Sequence, residues 1–267
     1  MNLQDLYIYP VKSLGGIRLE TAKALQRGFQ FDRRWMLVDE NGKFITQRVE
    51  HILAHLKTQL IDGKLWIYDN RFPENKISVN LDIYSPSTVD VTVWHDQVEA
   101  THVTAEIDKW FSTYLNKPCK LVFMSESGLR ALSEADSFAD LHVSFADAFP
   151  YMLISQASLD ELNSRLQEPV PMNRFRPNLV VSNTMAFEED TWAEIKIGEV
   201  RFKVIKPCAR CILTTIDQET GIKGIEPLQT LSKFRKFENK VIFGQNLVAL
   251  NDGLIKVNDL VEVISYR

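Results

Sequence analysis

A succession of short β-prone runs separated by turn residues constrains this fold more than any other feature of the sequence. Trp35-Met36-Leu37-Val38-Asp39 and Lys43-Phe44-Ile45-Thr46-Gln47 flank Asn41-Gly42. Asn-Gly accepts the positive φ angles of a two-residue hairpin loop, which makes it the strongest short hairpin signal a sequence carries. Asp62-Gly63 stands likewise between Thr58-Gln59-Leu60-Ile61 and Leu65-Trp66-Ile67-Tyr68. Val89, Val91 and Val93 alternate onto one face of a strand ending at Trp94, and a turn near His95-Asp96 returns the chain into Gln97-Val98-Glu99-Ala100. Towards the C-terminus, Leu247–Leu250 and Leu260–Ile264 read as strands, with a turn at Asn251-Asp252-Gly253.

Three segments carry helical periodicity instead. Thr104–Leu115 puts Ile107, Trp110, Phe111 and Leu115 on one face, with Thr104 placed to cap the N-terminus. Ser158-Leu159-Asp160-Glu161 fits a capping box, with Leu162 and Leu166 on one side after it. Pro227–Phe237 supplies a third helix, with proline in its first turn. The expected class is therefore mainly β with a few helices (α+β), built on a barrel-like or mixed sheet.

At 267 residues the chain has room for one large or two modest domains. We place a boundary near residue 122, giving 1–122 and 123–267, with polar Ser125–His142 as a flexible connection. A net charge of −4 argues against a dedicated nucleic-acid surface. No apolar run approaches the roughly 18 residues of a membrane span, and the N-terminus lacks a signal-peptide pattern. Three cysteines are too few for a disulfide framework, so a reduced, cytoplasmic setting is expected.

Chemistry concentrates in Lys206-Pro207-Cys208-Ala209-Arg210-Cys211-Ile212-Leu213-Thr214-Thr215, which holds two of the three cysteines. A thiol beside fixed positive charge shifts toward thiolate, both a nucleophile and a soft metal ligand. A zinc half-site would need two further ligands, and only Cys119 and five scattered histidines remain. A thioredoxin-like dithiol belongs at a strand-to-helix junction, whereas β-branched Ile212, Thr214, Thr215 and Ile216 follow here. Two cysteines packed on a strand is the third reading. Elsewhere, Pro10–Gly16 joins a lysine, a hydroxyl and glycines, either an ordinary turn or an anion cradle. Asp32-Arg33-Arg34, Gln47-Arg48 and Asn173–Asn178 are either solvated charge or holders of a phosphate.

Taken in order, Tyr9–Ser13, Phe31-Asp32-Arg33, Phe44–Arg48, Ser144–Asp147, Phe175–Asn178, Lys206–Thr215, Glu226-Pro227-Leu228 and Phe243–Asn246 resemble the MOSC family. That family (molybdenum-cofactor sulfurase C-terminal domain) includes bacterial MOSC proteins and the mitochondrial amidoxime-reducing component. The resemblance implies a MOSC β-barrel preceded by a MOSC-associated β-rich domain, and a molybdopterin-type molybdenum cofactor. It implies that Cys211 supplies the metal's protein thiolate, and that Lys12, Ser13, Arg33, Arg176, Asn178 and Arg210 hold the cofactor's phosphate and pterin. Asp147 is expected to line the site and to be the nearest group for proton delivery, while Cys208 is a neighbour, not the ligand.

The implied reaction is reductive N–O cleavage in small N-hydroxylated substrates such as hydroxylamines, amidoximes and N-hydroxylated bases. Bacterial relatives carry a C-terminal ferredoxin-like domain, whose [2Fe–2S] cluster needs four cysteines, whereas this sequence ends at Ser265-Tyr266-Arg267. Electrons are therefore expected from a separate ferredoxin-, flavodoxin- or reductase-like protein; otherwise the sequence is a truncated piece, or turnover is not the role. No nucleic-acid or membrane partner is expected. The alternatives are a non-catalytic cofactor carrier or persulfide-handling module, and a purely structural MOSC domain.

Overall fold

The computed structural model describes residues 1–82, 87–125, 128, 130–132 and 141–267, so most of the expected Ser125–His142 connection lies outside the described residues. The strands run β1 (Asn2–Ile8), β2 (Ile17–Leu19), β3 (Thr21–Leu25), β4 (Gly28–Phe29), β5 (Trp35–Val38), β6 (Leu56–Ile61), β7 (Lys64–Asp69), β8 (Phe72–Asn80), β9 (Thr88–Val93) and β10 (Asp96–His102). Helix α1 (Ala105–Leu115) and β11 (Lys120–Phe123) follow. The second half holds β12 (Tyr151–Ser155), α2 (Gln156–Asn163), β13 (Leu179–Ser182), β14 (Trp192–Ile197), β15 (Val200–Arg210), α3 (Leu228–Phe234), β16 (Lys236–Phe237), β17 (Lys240–Ala249), β18 (Gly253–Lys256) and β19 (Val261–Tyr266). The mainly β, α+β class expected from the sequence is what the chain adopts.

The largest sheet has the order β19-β14-β15-β17-β12-β13-β1-β2, with β16 added against β17. All its pairings are antiparallel except β12 with β13. Its core gathers Leu3, Leu6, Tyr151, Leu153, Trp192, Phe202 and Leu247, so strands from both ends of the chain share one apolar layer. A second core packs α1 through Ile107, Phe111 and Leu115 against Trp35, Leu37, Leu65, Ile67 and Leu121. Two smaller sheets, β5-β11-β10-β9 and β6-β7-β8, support it.

The Asp62-Gly63 hairpin forms as expected between β6 and β7. The β9–β10 hairpin also forms, but its two-residue loop is Trp94-His95, because Val93 pairs with Asp96. The Asn41-Gly42 expectation needs correction. The turn is present, with Gly42 at φ +72° and Asp39 accepting from the Asn41 and Lys43 amides. However, the return arm forms no regular strand: it offers a bridge from Phe44 to Val38, an Ile45 bond to the Leu37 carbonyl and a Lys43 carbonyl that accepts from the Asp39 amide. All four residues of β5 are buried, and its ladder is completed by β11, eighty-odd residues on, rather than by its own hairpin.

Thr104 caps α1, accepting from the Ile107 amide. For α2 the cap is Ser155, which accepts from the Ser158 amide at 3.1 Å; Ser158 lies inside the helix and Leu166 beyond its end. The capping-box reading thus began the helix three residues late. Helix α3 stops at Phe234, and Phe237, expected in it, lies in β16. Among the described residues no helix is long and apolar enough to cross a membrane.

Candidate functional site

A cleft of about 760 Å³ opens where the loop after β1, the turn before β5, the segment before β13 and the end of β15 converge. Lys12, Ser13, Arg33, Asp147, Arg176, Asn178, Arg210 and Cys211, scattered over two hundred residues of sequence, all line it. So do Arg48, Lys206 and Lys240, making seven cationic side chains against Asp147 and Glu238. In a chain of net charge −4 such a concentration selects for an anion.

At one end the arrangement is buried and rigid. The Arg33 and Arg176 guanidiniums lie 4.5 and 4.2 Å from the centroid of the Tyr9 ring. Arg33 donates to Asp32 at 2.5 Å and to Asn178 Oδ1 at 3.1 Å. Arg176 donates to the Leu14 carbonyl at 2.7 Å. Asn178 Nδ2 donates to the Tyr7 carbonyl at 3.1 Å, and the buried Asp32 accepts from the Tyr9 amide at 2.7 Å. Burial, with the like charge of Arg33 adding to it, pulls Arg176 down to about 10 despite the attraction of Tyr9, so it remains cationic at neutral pH. Ser13, Arg33 and Arg176 hold φ of +73°, +50° and +57°, left-handed conformations that cost each non-glycine residue on the order of 1–2 kcal/mol. Such outliers persist where surrounding structure over-determines them, and with Trp94 and Glu238 five of them line one cleft.

The other end is open. Asp147 is 46% exposed to the cleft, yet it is ringed by cations. Lys12 Nζ donates to its Oδ1 at 2.5 Å and to the Phe145 carbonyl at 2.7 Å, while Arg48 Nη2 donates to its Oδ2 at 2.5 Å. Desolvation alone would raise the Asp147 carboxyl; Lys12 and Arg48 outweigh it and hold the group well below the ordinary carboxylate range. Burial lowers Lys12 to about 8, against the opposing pull of Asp147. Arg48 Nε also donates to Cys211 Sγ at 3.4 Å, and its guanidinium lies 4.9 Å from the Trp94 ring centroid.

Cys208 and Cys211 are not equivalent. Cys208 ends within β15, half-buried, and accepts from Arg210 Nη1 at 3.1 Å. Arg210 Nη2 donates to the Phe175 carbonyl at 2.6 Å, and its buried Nε has no partner among the described residues. Cys211 lies just past the strand, exposed, before a 3-10 turn at Ile212–Thr215. No α-helix follows it, as a thioredoxin-like dithiol would require. Among the described residues no cluster of three or more His, Cys, Asp or Glu side chains is placed to hold a metal, which leaves the zinc reading without ligands. All three cysteines are free.

Arg48 and Trp94 are among the lining residues not singled out as site residues from sequence. Arg48 reads from sequence as solvated charge or a phosphate holder, because its contact with Cys211 spans 163 positions. Trp94 read as the end of a strand; its position in the hairpin loop, at φ +58°, turns it into the cleft wall.

The chain matches the MOSC domain family over residues 140–262 and the MOSC N-terminal beta barrel domain family over residues 1–118. It is 32% identical to mitochondrial amidoxime reducing component 2 of Bos taurus, covering 96% of this chain and 81% of that protein. Against mitochondrial amidoxime-reducing component 1 of Homo sapiens the figures are 33%, 97% and 82%. A molybdenum cofactor sulfurase of Oryza sativa subsp. japonica is 32% identical over 91% of this chain, which spans 32% of that larger protein. The chain belongs to the MOSC family, with a MOSC N-terminal beta barrel domain match followed by a MOSC domain match.

Proposed function

We propose that this protein is a molybdenum-cofactor-dependent oxidoreductase that reduces N-hydroxylated compounds, with electrons delivered by a separate donor protein. The observation that carries the reading is the cleft itself, which places an exposed thiol, Cys211, at one end and the buried Arg33–Tyr9–Arg176 stack at the other. Relatives named for amidoxime reduction over most of their length support it.

The residues fit such a cofactor. Sulfur suits molybdenum, and a terminal phosphate suits arginine, lysine and backbone donors. Arg210 Nε, buried without a partner in a cleft of net positive charge, is a donor awaiting an acceptor. In this reading Cys211 ligates the metal, while Lys12, Ser13, Arg33, Arg176, Asn178 and Arg210 hold the phosphate and pterin. Bound there, such a cofactor would supply the two-electron reduction of the N–O bond.

The chain supplies orientation, charge and protons. Overall, R–NH–OH plus two electrons and two protons gives R–NH2 and water. Asp147 was the expected proton donor, but a carboxylate bracketed by Lys12 and Arg48 stays ionised. It serves as an anionic anchor for the substrate's N–H groups. The transferable proton near neutral pH sits on Lys12 Nζ, whose affinity for it burial has brought to about 8. Donors of the ferredoxin, flavodoxin or reductase type, and a reducing cytoplasmic setting, complete the proposal; three free cysteines support the latter.

The test is to purify the protein from a host that makes the cofactor, measure molybdenum and pterin per chain, and assay benzamidoxime reduction with a chemical reductant. Stoichiometric metal with turnover is expected. Metal-loaded protein without turnover overturns the reductase in favour of a cofactor carrier or persulfide-handling module. Protein without metal or pterin leaves a structural domain.

A further inference from the structure

We propose that Arg48 is a positioning residue of the Cys211 site: it holds the Asp147 carboxylate and the Cys211 sulfur in one fixed relation, and that relation orients the substrate for reduction. The second half of this statement rests on the reductase reading above; the first half does not.

One guanidinium makes both contacts, Nε to Cys211 Sγ at 3.4 Å and Nη2 to Asp147 Oδ2 at 2.5 Å. A guanidinium is planar and its donors are fixed in a fork, so two acceptors bound by one fork cannot move independently. Asp147 and Cys211 come from segments 64 residues apart in sequence, and among the described residues no other side chain bonds to both. Lys12 grips the carboxylate's other oxygen, so Arg48 is what prevents Asp147 from turning about that single attachment.

The fork is itself held on three sides. Its plane lies against Trp94, 4.9 Å from the ring centroid, and Trp94 rests against Phe44 at 5.1 Å. Only 15% of the Arg48 side chain is exposed, unlike a solvated surface ion pair. Beneath it, fully buried Gln47 exchanges amide hydrogen bonds with Gln218, at 3.3 Å one way and 3.1 Å the other. Gln218 Nε2 also donates to the Ile216 carbonyl at 3.0 Å, and Lys57 Nζ donates to the Gln218 carbonyl at 2.6 Å. The backbone carrying Arg48 is thus bolted to the turn that follows Cys211. A reciprocal buried amide pair satisfies the oxygen and one N–H of each side chain and fixes register.

Arg48→Ala and Arg48→Lys, produced as full-length metal-loaded protein and checked for wild-type melting and molybdenum content, test this. We expect the alanine variant to keep its metal while kcat for benzamidoxime falls about a hundredfold with little change in KM, the signature of lost orientation. The lysine variant, able to reach Asp147 but not both acceptors, should stay about tenfold below wild type. The electron paramagnetic resonance signal of partly reduced protein should shift in the alanine variant, because the sulfur has lost its donor. Amide exchange in peptides spanning residues 143–150 and 211–217 should rise together. Turnover within about twofold of wild type with an unshifted resonance signal overturns the proposal. Loss of metal in the alanine variant also overturns it, making Arg48 a cofactor holder. If wild-type protein holds metal without turnover, or holds none, the reductase reading fails, and the exchange measurement decides the Arg48 tie: unchanged exchange in both peptides sinks it.

Discussion

At the Tyr9 end of the cleft, cations are buried, stacked on an aromatic ring and set by left-handed backbone; at the Cys211 end, a thiol and a carboxylate stand exposed and are held only by the side chains around them. At the first end Arg33 is bonded to Asp32, whereas Arg176 donates to the neutral Leu14 carbonyl, so positive charge is left over before any ligand arrives. That excess costs folding free energy which a bound anion offsets. The second end has the same count, two cations to one carboxylate, but there Lys12 and Arg48 both bond directly to Asp147. The first end is thus built to retain a permanent anionic group, and the second to admit and release small molecules.

The largest expected effect breaks the open end. Cys211→Ala should abolish both molybdenum retention and benzamidoxime reduction, measured as metal per chain and turnover, while melting changes little because the residue is exposed. Retained activity would remove Cys211 as the ligand.

Next is the buried end. Arg176→Met removes a cation whose own proton affinity burial has lowered, so the metal-free protein should melt no lower than wild type despite losing the bond to the Leu14 carbonyl. Its affinity for inorganic pyrophosphate, followed by calorimetry, should fall about ten- to a hundredfold, the size of one charge-assisted contact of about 1.5–3 kcal/mol. A fall in melting temperature with unchanged pyrophosphate affinity would make Arg176 structural instead.

How much of this was legible depended on sequence distance. The Asp62-Gly63 hairpin and the Thr104 cap involve residues within a few positions of each other, and local chemistry sufficed. The arm after Asn41-Gly42 did not become a regular strand, because β5 finds its partner in β11, a competition no local pattern reveals. The Ser158 signal was real in composition but was overtaken by Ser155, where the chain leaves β12. The cleft shows the same division. Cationic residues were visible one by one, but burial of Lys12 and Arg176 and the tie from Arg48 to Cys211 arise only when β1, the β5 turn and β15 meet.

At the open end sits Lys12, and pH separates it from the arginines. Its folded pKa of about 8 lies below the ordinary 10.5, so between those values the unfolded chain binds more protons. Stability from this group therefore rises with pH in that window, and its penalty is full below about 8. In the folded cleft the same titration removes one positive charge. Pyrophosphate affinity should drop about three- to tenfold as pH rises through about 8 or slightly above, since the bound anion itself favours charged lysine. Lys12→Arg should carry full affinity to higher pH; an identical profile in that variant would assign the transition to another group.

The smallest effect compares the two thiols directly. Cys208 gives Arg210 Nη1 an acceptor at 3.1 Å, but Arg210 keeps the Phe175 carbonyl through Nη2 and the Met152 sulfur at 3.3 Å through Nη1. Removing one neutral acceptor of three should cost less than about 1 kcal/mol, so Cys208→Ala should retain its molybdenum and lose less than about threefold in turnover. The measurement is the same metal analysis and benzamidoxime assay used for Cys211→Ala. Should Cys208→Ala instead fall to the level of Cys211→Ala, the half-buried and exposed sulfurs act as one unit, and the contrast between a supporting thiol on β15 and a ligating thiol beyond its end fails.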